Sequence, residues 1–246
     1  MTWSEGRILE RREWAPGLVS LRVEAAVAPF EPGQFLNIGL RLGGELVFRA
    51  YSLASPPGEP LEFYVTEVEG GTLTPGLCAL APGDTLLVEP HPQGFFTLRY
   101  VPDARELWLL ATGTGLGPFL SMLRSEEIWR RFPRLVVAHG VREAAHLGYR
   151  NELAELSAQH QGRLTWVPVV SREPAATGVL HGRLTTTLAD GSLEARAGVS
   201  LDPERSHVML CGNPAMIQEV TALLEARGLR KHRQRKPGHI SVEKYW

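Results

Sequence analysis

The sequence predicts an antiparallel β-barrel domain followed by an α/β domain with a doubly wound parallel sheet. Short β-rich runs punctuated by Gly and Pro fill the chain up to about Leu98. Beyond Pro102 apolar strands alternate with helical patterns, and Gly113-Thr114-Gly115-Leu116-Gly117-Pro118 joins one such strand to a helix. With 246 residues, either half has the volume for a core of its own.

In the first half the expected strands are Arg7–Trp14, Leu18–Ala25, Gln34–Leu40, Leu46–Ser52, Leu61–Val68 and Thr85–Glu89, each rich in Val, Leu, Phe and Tyr. Pro16-Gly17, Pro32-Gly33, Gly43-Gly44 and Pro82-Gly83 supply the turns. Closing such a sheet removes exposed edges, and a short helix near Thr74–Ala81 is expected to cover one end. In the second half Glu106–Ala111, Leu135–His139, Leu164–Val170 and His207–Leu210 read as strands. Helices are expected at Gly117–Arg131, Tyr149–Gln159, Thr185–Leu188 and Ala215–Ala226, which implies parallel pairing. The expected domains are residues 1–100 and 101–246.

Composition narrows the function classes. Hydrophobic content of 43%, charged content of 22% and a net charge of −1 are those of a globular protein with no global pull toward nucleic acid or membrane. Two cysteines, Cys78 and Cys211, cannot supply four ligands to an iron–sulfur cluster or a structural zinc. No apolar run approaches membrane-spanning length and the N-terminus lacks an apolar leader core, so the expectation is a cytoplasmic protein without a membrane span.

Four segments carry chemistry. On a strand, Arg49-Ala50-Tyr51-Ser52 sends Arg49 and Tyr51 to one face and Ser52 to the other. A guanidinium matches a pyrophosphate, a phenol ring stacks on a flat heterocycle, and a hydroxyl donates to a ring nitrogen. The same four residues also suit a barrel strand with a surface Arg and a core Tyr. Gly70-Gly71-Thr72-Leu73-Thr74 leads from the Tyr64-Val65 strand into a helix start. That place suits either phosphate or a turn capped by a Thr.

Gly113, Gly115 and Gly117 depart from G-x-G-x-x-G spacing, yet small residues between a strand and a helix N-terminus still admit a dinucleotide. Cys211-Gly212-Asn213-Pro214-Ala215-Met216 repeats the geometry at a later strand, where Cys211 is either a crevice thiol or a buried structural one. Arg142, Arg172 and Arg183 follow strands or open a helix, as phosphate-clamping or solvated arginines do. The terminal Tyr245-Trp246 suits stacking on a flat partner or a last strand tucked on the core.

In this order the segments resemble the ferredoxin–NADP reductase family, in particular its bacterial flavodoxin/ferredoxin reductase branch. The likeness spans nearly the whole chain and includes His139-Gly140-Val141-Arg142 and Ser171-Arg172-Glu173. The resemblance implies an FAD enzyme that passes electrons reversibly between NADPH and ferredoxin or flavodoxin. It implies that Arg49, Ala50, Tyr51, Ser52, Tyr64, Val65, Gly71, Thr72, Leu73, Thr74, Thr114, Tyr245 and Trp246 serve FAD. Gly113, Gly115, Val141, Arg142, Ser171, Arg172, Arg183, Cys211, Gly212, Asn213 and Met216 would serve NADP(H). Ser52, Cys211 and Trp246 would border the reacting atoms, with Trp246 covering one flavin face.

Lys231, Arg233, Arg235 and Lys236 form a basic run suited to docking an acidic ferredoxin or flavodoxin, or simply to a solvated turn. Two rival readings stand beside this one. They are a same-fold oxygenase reductase with a separate iron–sulfur partner, and a flavin-free binding or regulatory module.

Overall fold

A computed structural model describes residues 3–160, 162–174 and 176–244. The chain divides into two compact units. One runs from the N-terminal residues to Leu98 and takes in Gly117–Glu126; the other comprises Arg99–Leu116 and the residues from Glu127 onward.

The first unit is built on β1 (Ser4–Ala15), β2 (Leu18–Glu24), β3 (Phe35–Leu42), β4 (Glu45–Ser52), β5 (Leu61–Thr66) and β6 (Thr85–Val88). Their order in the sheet is β4-β3-β6-β1-β2-β5, with antiparallel pairing throughout. The two outer strands meet where Leu53 bridges Phe63 and the Ala54 N–H donates to the Glu62 carbonyl at 2.8 Å, so the sheet closes into the expected barrel. Ile8, Val19, Leu21, Leu36, Ile38, Phe63 and Val88 alternate inward and fill it. Each buried aliphatic side chain there contributes about 1.5–3 kcal/mol of transfer free energy. Helix α1 (Thr74–Ala79) adds Leu77 and Cys78 to the same core.

The second unit holds β7 (Glu106–Thr112), β8 (Arg134–Val141), β9 (Leu164–Val170), β10 (Leu180–His181), β11 (Ser206–Gly212) and β12 (Ile240–Lys244). All are parallel, in the order β10-β9-β8-β7-β11-β12. Along β7, β8, β9 and β11 alternate residues such as Trp108, Val136, Val167 and Val208 form one core. Leu184, Leu193 and Val220 join it from α5 (Leu184–Ala189), α6 (Ser192–Ala197) and α7 (Pro214–Ala226).

Several expectations are corrected. The single helix expected at Gly117–Arg131 is two, α2 (Gly117–Leu123) and α3 (Glu126–Arg131). The break lies at Arg124-Ser125, where both the N–H and the hydroxyl of Ser125 bond back to the Met122 carbonyl and compete with the helical ladder. Helix α2 is buried along its whole length and clusters with the barrel. The remaining helix, α4 (Arg150–Gln159), begins after Tyr149, whose φ of 58° places a non-glycine residue in the left-handed region. The short β10 and α6 were not anticipated, because two and six residues carry too little periodicity to stand out.

Candidate functional site

In the barrel, Arg49, Tyr51 and Ser52 lie on β4 opposite Ile38, Leu36 and Phe35 of β3. Arg49 and Ala50 are exposed, Tyr51 is half-buried against the barrel core, and Ser52 is buried. Desolvation pushes the Tyr51 phenol up to about 12; the Cys78 thiol adds to the rise and the neighbouring Arg49 guanidinium opposes it. Tyr51 is therefore neutral at physiological pH and presents a ring beside a cation, as the alternation of the strand dictates.

Tyr64 and Val65 are buried on β5, and Val65 belongs to the barrel core. Ahead of α1 the N-cap is Leu73, without a side-chain cap bond. Neither Thr72 nor Thr74 caps the helix. The Thr74 hydroxyl instead accepts the Val68 N–H at 2.9 Å, and the Gly71 N–H closes a turn onto the Val68 carbonyl at 2.8 Å. Thr72 is exposed beside that turn.

In the second unit the sheet order reverses between β7 and β11, the two strands that flank the topological switch point. Ligands of open α/β sheets lie at the carboxyl ends of such strands. Here those ends are Gly113-Thr114-Gly115 and Cys211-Gly212-Asn213. Thr112 ties them together, its hydroxyl accepting the Asn213 N–H at 2.8 Å. A Cβ on Gly115 would stand 2.5 Å from the Cys211 carbonyl oxygen, so only glycine allows the loops to come this close. The Asn213 side chain accepts the N–H groups of Ala215 and Met216 and caps α7.

Backbone pairing also gathers the arginines. The Arg172 N–H donates to the Arg142 carbonyl at 2.8 Å, and the Ser171 N–H to the Val141 carbonyl at 3.1 Å. Arg183 precedes α5 in extended conformation, just after β10 pairs with the end of β9. All three arginines are exposed. Cys211 is fully buried at the end of β11, and among the described residues neither cysteine forms a disulfide. Strand β12 runs beside β11, with Lys244 opposite Gly212. Tyr245 and Trp246 follow and lie outside the described residues.

His139, within His139-Gly140-Val141-Arg142, has a structural place that the sequence did not indicate. It is fully buried on β8, and its Nε2–H donates to the Gly113 carbonyl at 2.9 Å, while Nδ1 has no partner among the described residues. Burial lowers its pKa to about 4, against the opposing Gly113 bond, so the ring is neutral. Its signal in the sequence was a histidine inside an apolar strand.

The donor chemistry fits two nucleotides. Arg49, the Tyr51 ring and the Ser52 hydroxyl suit a flavin dinucleotide, and the contact made possible by Gly115 together with three exposed guanidinium groups suits a phosphorylated nicotinamide dinucleotide.

Comparison with known proteins agrees. Residues 18–97 match the oxidoreductase FAD-binding domain family, and residues 109–222 match the oxidoreductase NAD-binding domain family. The chain is 46% identical over 246 residues to the flavodoxin/ferredoxin–NADP reductase of Shigella flexneri, covering 99% of both. It is 45% identical to that of Escherichia coli K12, again over 99% of both chains. A crystal structure of a ferredoxin NADP+ reductase from Neisseria gonorrhoeae with bound FAD and NADP superposes with a TM-score of 0.91. That match has 31% identity and covers 99% of each chain. The chain belongs to the flavodoxin/ferredoxin–NADP reductase family. Among the described residues no helix is long and apolar enough to cross a membrane.

Proposed function

We propose that the protein is an FAD-dependent reductase that moves electrons between NADPH and ferredoxin or flavodoxin. The observation that carries this reading is a sheet whose switch point is lined by Gly113, Gly115 and Gly212, in one chain with a barrel presenting Arg49, Tyr51 and Ser52. Full-length likeness to reductases of this name supports it.

Bound FAD supplies the ability to take a hydride from NADPH and release electrons singly. The chain's own residues bind and orient. Arg49 neutralises pyrophosphate, the neutral Tyr51 ring stacks without adding charge, and Ser52 offers its hydroxyl to the flavin edge. Ala50, Tyr64, Val65, Gly71, Thr72, Leu73, Thr74 and Thr114 complete the FAD set. Arg142, Arg172 and Arg183 supply the charge that prefers a 2′-phosphate, and Val141, Ser171, Asn213 and Met216 shape the ground around it. Ser52, Cys211, Tyr245 and Trp246 are assigned to the flavin and nicotinamide rings.

Residues 1–100 serve FAD and 101–246 serve NADP in this reading, and the enzyme works in the cytoplasm. Lys231, Arg233, Arg235 and Lys236 dock the acidic carrier. Arg233 and Lys236 exchange backbone hydrogen bonds of 3.1 and 2.8 Å, so the run is a tight exposed turn. The test is anaerobic. The purified protein should be yellow, bleach with NADPH and recolour on adding oxidised ferredoxin or flavodoxin. Flavin absorbance unmoved by NADPH would refute the reading.

A further inference from the structure

Strand β4 ends at Ser52, and the chain beyond it is held in an unusual way. The Arg124 guanidinium donates from Nη1 to the Ala54 carbonyl at 2.8 Å and to the Glu62 carboxylate at 2.6 Å. One helical turn earlier, the Ser121 hydroxyl donates to the Ser55 carbonyl at 2.6 Å. From the other side the Glu62 carbonyl accepts the Ala54 N–H at 2.8 Å, and the Glu62 N–H donates to the Ser55 hydroxyl at 3.0 Å. All of these residues belong to the barrel unit.

Glu62 is only 9% exposed, and Ser121 is fully buried. Withdrawing an ion pair from water costs about as much as its attraction returns, so such a pair is a poor device for stability alone. It is a good device for geometry, because both charges demand fixed partners. What it fixes is the backbone two and three residues past Ser52.

We propose that Arg124, through Glu62 and the Ala54-Ser55 backbone, is a positioning residue that sets where Tyr51 and Ser52 stand against the flavin. This rests on the reading that Tyr51 and Ser52 bind FAD. Orientation at a reacting centre is sensitive to small displacements, so loosening the strand end alters the flavin environment and the reduction rate. NADPH affinity is governed by the arginines of the other unit and stays as it is.

The test compares Arg124→Gln, Arg124→Lys and Tyr51→Ala as holoenzymes. Three properties are read: visible circular dichroism of the flavin, the rate of FAD release below the melting range, and flavin reduction against NADPH concentration. Arg124→Gln should shift the flavin dichroism, speed FAD release about tenfold and lower the saturating reduction rate at unchanged apparent NADPH affinity. Arg124→Lys should recover much of each.

A lower melting temperature with flavin dichroism, FAD release and reduction rate all as in the parent would overturn the proposal. Should Tyr51→Ala alter the dichroism while Arg124→Gln does not, the positioning role alone falls. An unaltered Tyr51→Ala removes the assignment on which it rests, and the proposal with it. If Arg124→Gln does not fold, Ser121→Ala is read the same way: faster FAD release supports the clamp, and an unchanged rate overturns it.

Discussion

The Nε2 of His139 stands 2.9 Å from the carbonyl oxygen of Gly113, so a fully buried imidazole on β8 holds the glycine-rich loop that follows β7. Its Nδ1 is buried without a partner among the described residues, and protonation would place an unpaired charge there.

That arrangement makes stability depend on pH. The pKa of His139 falls from the ordinary 6.5 to about 4 on folding, so between these values the unfolded chain binds a proton that the folded one refuses. Its contribution is complete above pH 6.5 and is lost as the pH falls toward 4, by about 3 kcal/mol. His207, lowered to about 3 by burial and by His232 and His239, acts with the same sign. Urea unfolding of His139→Gln should show a shallower loss of stability across this range than the parent, and equal slopes would exclude His139.

Arg142 and Arg172 are brought together by a backbone hydrogen bond, so they should act on one phosphate. Arg142→Ala or Arg172→Ala should raise the KM for NADPH about tenfold to a hundredfold and leave that for NADH nearly unchanged. Steady-state kinetics with both nucleotides decide it. Equal losses for the two would remove these residues from 2′-phosphate recognition.

At Gly115 a Cβ would meet the Cys211 carbonyl oxygen at 2.5 Å and the Gly212 Cα at 2.8 Å. Gly115→Ala should cost about 1–3 kcal/mol of stability and weaken NADPH binding. FAD content at purification should hold. Thermal melting and fluorescence titration with NADP+ measure the two effects, and unchanged NADP+ affinity would count against the loop as its seat.

Reversing charge at Arg233 and Lys236 should slow association with ferredoxin or flavodoxin and flatten its dependence on salt. The maximal rate at saturating carrier should remain. Stopped-flow mixing over a range of ionic strength shows this. A salt dependence like that of the parent would place docking elsewhere.

The two sheets were legible in the sequence because their signals are local. Runs rich in Val, Leu, Phe and Tyr between Gly and Pro turns gave β1 to β6 within a few residues, and apolar runs gave β7, β8, β9 and β11. The glycine-rich segments were legible too, since a loop between a strand and a helix announces itself through residue type. The helix break at Arg124-Ser125 was not, because neither residue is a glycine or proline, and the bonds of Ser125 back to the Met122 carbonyl show only in the structure.

By itself the sequence determined which residues alternate on which strand, and hence that Arg49 and Tyr51 share a face, and where glycine permits a tight turn. Only the tertiary structure decided which distant residues meet. It turned Arg124 onto Ala54 and Glu62, set His139 beneath Gly113 and brought Gly115 against Cys211. Local periodicity comes from backbone geometry, and a chain reveals it over a few residues. Pairings across tens of residues follow from strand order and packing, which no short window contains.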